Sequence, residues 1–220
     1  MMLGEKVCQR LRDSHVAIFG VGGVGGHAAE AIARCGVGEI TLVDSDTVSV
    51  TNLNRQLIAT HDTVGKYKTE AMKERILSIN PDCSVHVHTV FYNEETSSDI
   101  DLTRFDCVLD CIDSVASKVL LISKCKEVGV RVISSMGAGN KLDPTLFRVS
   151  DISKTAVDPL ARAVRTRLKK MGINHLKVVY SEEPPFLSRE RVPASVSFVP
   201  GVVGMIMAGE AIKDIAMISK

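Results

Sequence analysis

The chain has 220 residues, a formal net charge of +1 and 45% hydrophobic residues. This length suits one domain, or one domain with a modest appendage, and buries roughly 70% of the unfolded surface without covalent staples. A charge so near zero excludes long-range attraction of a polyanion by the whole molecule, so any such binding needs a local basic patch.

Six cysteines, Cys8, Cys35, Cys83, Cys107, Cys111 and Cys125, form no C-x-x-C pair. Most sit in apolar runs, where cysteine acts as a small buried hydrophobe. No secretory leader precedes the first β-rich run, so the expected location is a reducing cytoplasm. The longest apolar stretch, residues 202–212, carries Glu210 and is too short to span a bilayer. It reads as a core-packing helix.

In chain order, residues 15–20 (HVAIFG) form a short β-rich run ending in glycine, and residues 27–36 have helical spacing closed by Gly36. Residues 39–44 (EITLVD) read as a second strand. Residues 66–79 form an amphipathic helix stopped by Asn80-Pro81, and 84–90 alternate like a strand with one wet face. Residues 105–111 (FDCVLDC) read as a fully buried strand, 115–128 as a helix closed by Gly129, and 131–137 as the next strand. Residues 145–152 and 177–181 read as strands around a basic helix at 159–171. The Pro-punctuated segment 190–200 then leads into the final helix. Strand–helix alternation of this kind predicts a Rossmann-like α/β domain over residues 1–144, a mostly parallel sheet with helices on both faces. Residues 145–220 are expected to form a smaller C-terminal α+β extension.

The first strand runs into Gly20, Gly22, Gly23, Gly25 and Gly26, and then into a helix. Glycines there allow a tight turn and close approach of a phosphate to backbone, while the helix start offers N–H groups and a partial positive charge. Asp44, at the end of the second strand, is spaced to bond ribose hydroxyls. Dinucleotide-dependent oxidoreductases share these features, so the following residues decide between nucleotides. A segment holding Asp46, Thr51, Asn52, Asn54, Arg55 and Gln56, with Lys68 on the next helix, suits a triphosphate carrying about four negative charges. Arg55 can take two phosphate oxygens, Asn52 can orient them neutrally and Lys68 supplies a point charge. The strand at 105–111 holds Asp110 near its end and is followed by Asp113 and Ser114. Strand ends in open α/β sheets face the ligand crevice, so Asp113, just past the strand, is the better placed to hold Mg²⁺. Asp110, still within the strand, is the better structural partner.

Together these residues resemble the superfamily of ubiquitin-activating-like enzymes that includes the ThiF, MoeB and HesA proteins. The likeness spans about residues 15–140 through GVGGVG, LVDSDTVSVTNLNRQ, GKYKTE, NP and LDCIDS. It implies adenylation of a substrate carboxylate with ATP and Mg²⁺, in a homodimer. By the same likeness, Gly23 contacts ATP and Asp44 its ribose. Thr51, Asn52, Arg55 and Lys68 surround the phosphates, with Arg55 a candidate to reach across the dimer, and Asp113 is the metal-associated catalytic aspartate beside Ser114. Members that activate sulfur-carrier proteins usually carry two C-x-x-C pairs for zinc. This chain has neither, so no zinc is expected.

The segments GAGNKLDP (137–144), 149–170, 178–185 and 194–215 resemble the branch of that superfamily that dehydrates threonylcarbamoyladenosine in tRNA. That likeness implies a tRNA substrate, cyclisation through an acyl-adenylate, and a cysteine-desulfurase system as a partner. The alternative within the superfamily is adenylation of the C-terminal glycine of a ubiquitin-like sulfur carrier. Arg162, Arg165, Arg167, Lys169 and Lys170 share the helix at 159–171, and the spacing of Arg162, Arg165 and Lys169 puts them near one face suited to phosphate backbone. His27, His61, His86, His88 and His175 show no metal-ligand spacing.

Overall fold

The computed structural model describes residues 3–186 and 194–217. Residues 190–193 of the Pro-punctuated segment therefore lie outside the described residues. In chain order the elements are α1 (Glu5–Arg12), β1 (His15–Phe19), α2 (Gly25–Arg34), β2 (Glu39–Val43), α3 (Lys68–Ile79) and β3 (Ser84–His88). Then come β4 (Cys107–Asp110), α4 (Val115–Glu127), β5 (Arg131–Ser135), β6 (Phe147–Asp151), α5 (Pro159–Lys170), β7 (Lys177–Ser181) and α6 (Phe198–Ala216). The strands form one seven-stranded sheet in the order β3-β2-β1-β4-β5-β7-β6, parallel except for the antiparallel pair β6–β7. The fold is thus the expected Rossmann-like α/β arrangement, and the strands of the last third join the same sheet.

The core splits into two layers because a parallel sheet must be covered on both faces. On one face Ile32, Met72, Val203 and Met207 of α2, α3 and α6 pack together. On the other, Leu121, Ile122, Val164 and Leu168 of α4 and α5 do so. The two central strands β1 and β4 are buried at every position, matching their largely apolar sequences, while the edge strand β3 is only partly buried.

The site is positioned by register. Phe19 of β1 lies opposite Val43 of β2 and Asp110 of β4, so Gly20, Asp44 and Cys111 emerge side by side at the carboxyl ends of three adjacent strands. The chain order reverses between β1 and β4, which is where open α/β sheets leave a ligand crevice.

Several elements depart from the sequence reading. α2 begins at Gly25, earlier than its apolar run, because the glycines themselves make its first turn. α3 begins only at Lys68, because Tyr67 bridges back to Thr47. α1 is a helix that the sequence reading did not single out; it buries Leu11 and is tied to the end of α6 by Arg10, which donates to the Ala216 carbonyl at 3.0 Å. α6 covers 19 residues, well beyond the apolar stretch that announced it. Among the described residues no helix is long and apolar enough to cross a membrane.

Candidate active site

The crevice is a cavity of about 700 Å³ floored by the glycine turn. Gly20 has φ +88°, and a Cβ there would lie 2.6 Å from the Cys111 carbonyl oxygen. A Cβ on Gly25 would lie 1.8 Å from the Gly20 carbonyl oxygen. Only glycine satisfies both positions, and the result is a bare main-chain floor against which a phosphate can rest. Gly20, Gly22 and Gly23 all line the cavity.

Asp44 braces this floor. One carboxylate oxygen accepts the Val21 N–H at 2.6 Å and the other accepts the Asp46 N–H at 2.9 Å. Burial pushes its carboxyl above the usual range, against the opposing pull of those amides and of Lys68. Asp44 lines the cavity while holding the turn in shape. Lys68 is buried, and its ammonium sits 2.6 Å from the exposed Asp46 carboxylate; both residues line the cavity.

Arg55 lines the same cavity, with its Nη1 donating to the Thr51 carbonyl and to Asn54 Oδ1, each at 2.8 Å. Both bonds use Nη1, so Nε and Nη2 are the donors left for a ligand among the described residues. Asn52 accepts the Ser49 N–H at 2.9 Å and closes a reciprocal cap on the short 3₁₀ turn Val50–Asn52, while the Thr51 hydroxyl bonds that of Ser49 at 2.7 Å. Neither Thr51 nor Asn52 is part of the cavity lining; they build the turn that presents Arg55.

The two aspartates at the end of β4 and beyond it separate cleanly. Asp110 is fully buried, 2.8 Å from the Lys118 ammonium, and accepts from the Ser134 hydroxyl at 2.5 Å and the Ile112 N–H at 3.2 Å. Asp113 is exposed and lines the cavity. Ser114 caps α4 by accepting the Ser117 N–H at 3.5 Å, and Ser117, rather than Ser114, lines the cavity.

The structure adds residues that motif reasoning passed over or left open. Gln56 is buried against the glycine turn and lines the cavity, and its side-chain oxygen has no hydrogen-bond partner among the described residues. The residues after β5, from Gly137 to Lys141, form a further wall with Asp158. Asp158 caps α5 through the Ala161 N–H at 2.9 Å and also accepts the Gly137 N–H at 3.0 Å. The Asp158-Pro159 pair is visible in the sequence as a helix start, but nothing in that signal shows that it faces the nucleotide turn.

The basic helix is less uniform than its spacing suggests. Arg162 and Lys169 are exposed, whereas Arg165 turns inward and donates to the Thr155 carbonyl at 2.7 Å and the Thr155 hydroxyl at 2.5 Å. Arg165, Lys169, Lys170 and His175 line a separate groove of about 620 Å³, and Arg162 lies outside it.

Comparison with known proteins agrees with this architecture. The chain is 44% identical over 233 residues to the tRNA threonylcarbamoyladenosine dehydratase of Bacillus subtilis (strain 168), covering 98% of this chain and 92% of that protein. It is 45% identical over 168 residues to the enzyme of that name from Escherichia coli (strain K12), covering 76% of this chain and 63% of that protein. The crystal structure of the E. coli dehydratase TcdA in complex with AMP superposes with a TM-score of 0.93 at 38% identity, and the complex with ATP with 0.89 at 37%. Each comparison covers 97% of this chain and 90% of that one. The ThiF family model matches residues 1–220, and the chain belongs to the ThiF family.

Proposed function

We propose that the chain is an ATP-dependent adenylating enzyme that converts threonylcarbamoyladenosine in tRNA to its cyclic, dehydrated form. One observation carries the adenylation chemistry: a side-chain-free glycine floor, two cations (Arg55 and Lys68) and an exposed carboxylate (Asp113) share a single cavity. The substrate is supported by the near-full-length likeness to dehydratases of that name, one of them solved with ATP and with AMP.

ATP fits this cavity by its chemistry. Its phosphates meet the glycine floor and its ribose lies beside Asp44. The substrate carboxylate attacks the α-phosphorus and pyrophosphate departs with the electrons of the broken P–O bond. Charge then builds on the β-phosphate, where Arg55 and Lys68 counter it. Asp113, exposed on the cavity lining, would hold Mg²⁺, which would supply further neutralisation of the phosphates. The tethered carbamoyl group next attacks the acyl-adenylate carbon, AMP leaves, and the net change is loss of one water. Tethering gives this closure a high effective concentration, so the step needs no protein nucleophile.

In this reading the 145–220 region supplies the tRNA and dimer contacts. Phe198 and Met205 are exposed large apolar residues seven apart on α6 and offer a subunit surface, and the groove beside α5 offers a phosphate-backbone surface. Lys169→Glu combined with Lys170→Glu is expected to weaken tRNA binding and to lower the slope of log affinity against log salt by about 1 per lost phosphate contact, with ATP affinity unchanged. Filter binding over a salt series checks this, and an unchanged slope removes the groove from the reading. Arg165→Glu is the poorer test, because it also breaks the bonds to Thr155.

The function itself is tested by incubating purified protein with ATP, Mg²⁺ and tRNA bearing threonylcarbamoyladenosine. AMP and a nucleoside lighter by one water are expected, by chromatography and mass spectrometry. AMP formation that requires a small carrier protein and ignores tRNA would instead establish the carrier-adenylating reading.

A further inference from the structure

The wall after β5 holds a cation that the nucleotide chemistry above does not use. Lys141 is 3% exposed and lines the cavity. An ammonium withdrawn from water needs a compensating anion or a full set of acceptors. Among the described residues its one hydrogen bond goes to a neutral group, the Glu183 main-chain carbonyl, at 2.6 Å. Its neighbouring acids are Asp158 and Glu183, and both are engaged elsewhere. Asp158 accepts the Gly137 and Ala161 N–H groups, and Glu183 accepts those of Leu142 and Asp143. Neither comes within ion-pair distance of Lys141. An ammonium has three donors, so Lys141, on the cavity lining, has donors to spare and, among the described residues, no anion paired with it.

Its position is set by rigid backbone. Asn140 adopts left-handed φ +56°, donates its N–H to the Ala194 carbonyl at 2.7 Å and accepts the Ala194 N–H on its side chain at 2.8 Å. Its carbonyl accepts the Phe186 N–H at 2.7 Å. A side-chain amide in that backbone conformation, locked by three bonds, fixes where the next residue emerges.

We propose that Lys141 anchors the carboxylate of the acyl substrate, on the β5 side of the cavity. The inference rests on the adenylation reading above. The phosphates already have Arg55, Lys68 and the glycine floor, all from the β1–α3 half of the cavity. The acceptor carboxylate must approach a triphosphate of about four negative charges, which repels it, so it needs a cation of its own. Lys141 is that cation, presented from a different strand end than the phosphate-binding groups. Burial lowers its pKa from the usual lysine value, against the opposing influence of Asp158 and Glu183, and an anion bound beside it would counter that loss of charge.

The test uses the full chain with Lys141→Met, and Lys141→Gln as a second variant that keeps a donor without the charge. Three quantities are measured: ATP affinity, the KM and kcat of tRNA-dependent AMP formation, and the preference for tRNA bearing threonylcarbamoyladenosine over the same tRNA lacking the threonylcarbamoyl group. Wild type is expected to prefer the modified tRNA. Both variants are expected to lose that preference and raise KM by about tenfold or more, the scale of one charge-assisted hydrogen bond, with ATP affinity unchanged. A variant that keeps wild-type KM and preference overturns the anchor. So does a parallel loss of ATP affinity, which would make Lys141 a phosphate ligand. A wild-type protein that forms no AMP with modified tRNA is a different failure, that of the adenylation reading itself.

Discussion

Arg55→Ala and Asp113→Ala should each lower AMP formation by about a thousandfold or more, while the melting temperature stays within a few degrees of wild type. Arginines that meet developing phosphate charge are worth about that factor in phosphoryl chemistry. Arg55 is held by Nη1 to the Thr51 carbonyl and to Asn54, so its guanidinium is aimed before ATP arrives, and no reorganisation offsets its contribution. Asp113 is exposed, so the fold does not depend on it. AMP and pyrophosphate release, measured with folded variants at saturating ATP, decides the matter. Turnover within tenfold of wild type in either variant would remove that residue from the site.

The neighbouring aspartate predicts the opposite pattern. Lys118→Met should destabilise the protein by about 3–5 kcal/mol, because it leaves the fully buried Asp110 carboxylate without its ammonium. For a chain of this size that is a fall of roughly 10 °C in melting temperature. Burial already pushes the Asp110 carboxyl above its usual range, against the pull of Lys118 and Ser134. Removing the ammonium raises it further. A carboxyl whose folded pKa is raised contributes stability at low pH and loses it as pH rises through that value, so the deficit of the variant should grow from acid to neutral pH. Adding Asp110→Leu should restore much of the loss, since no lone charge then remains. Urea unfolding at several pH values reads all of this. A Lys118→Met protein as stable as wild type at neutral pH would show that the pair does not hold the β4 end in place.

These two aspartates show how far sequence reading reaches. One ends a buried strand and the other follows it, and both could serve a nucleotide site. Position alone favoured Asp113, since a residue beyond the strand end faces the crevice. What settles Asp110 is a partner on α4 and another on β5, eight and twenty-four residues away, and no local pattern announces those contacts. Thr51 and Asn52 make the same point from the other direction. Their motif placed them among the phosphates, yet their side chains close the turn that carries Arg55. Arg165 lay on the basic face by helical spacing, but a loop residue, Thr155, takes its guanidinium inward.

What the sequence determined by itself is what depends on local geometry. Apolar runs of strand length, helix-spaced segments and obligatory glycines after β1 specify the parallel sheet, the glycine turn and the order in which Arg55, Lys68 and Asp113 arrive. Only the tertiary structure decided which polar groups are spent on each other and which remain for a ligand. That division depends on contacts between residues distant in the chain, such as Lys118 with Asp110, or Asn140 with Ala194. A one-dimensional pattern holds no record of those distances, so Gln56 and Lys141 stand out only once the sheet has brought its strand ends together.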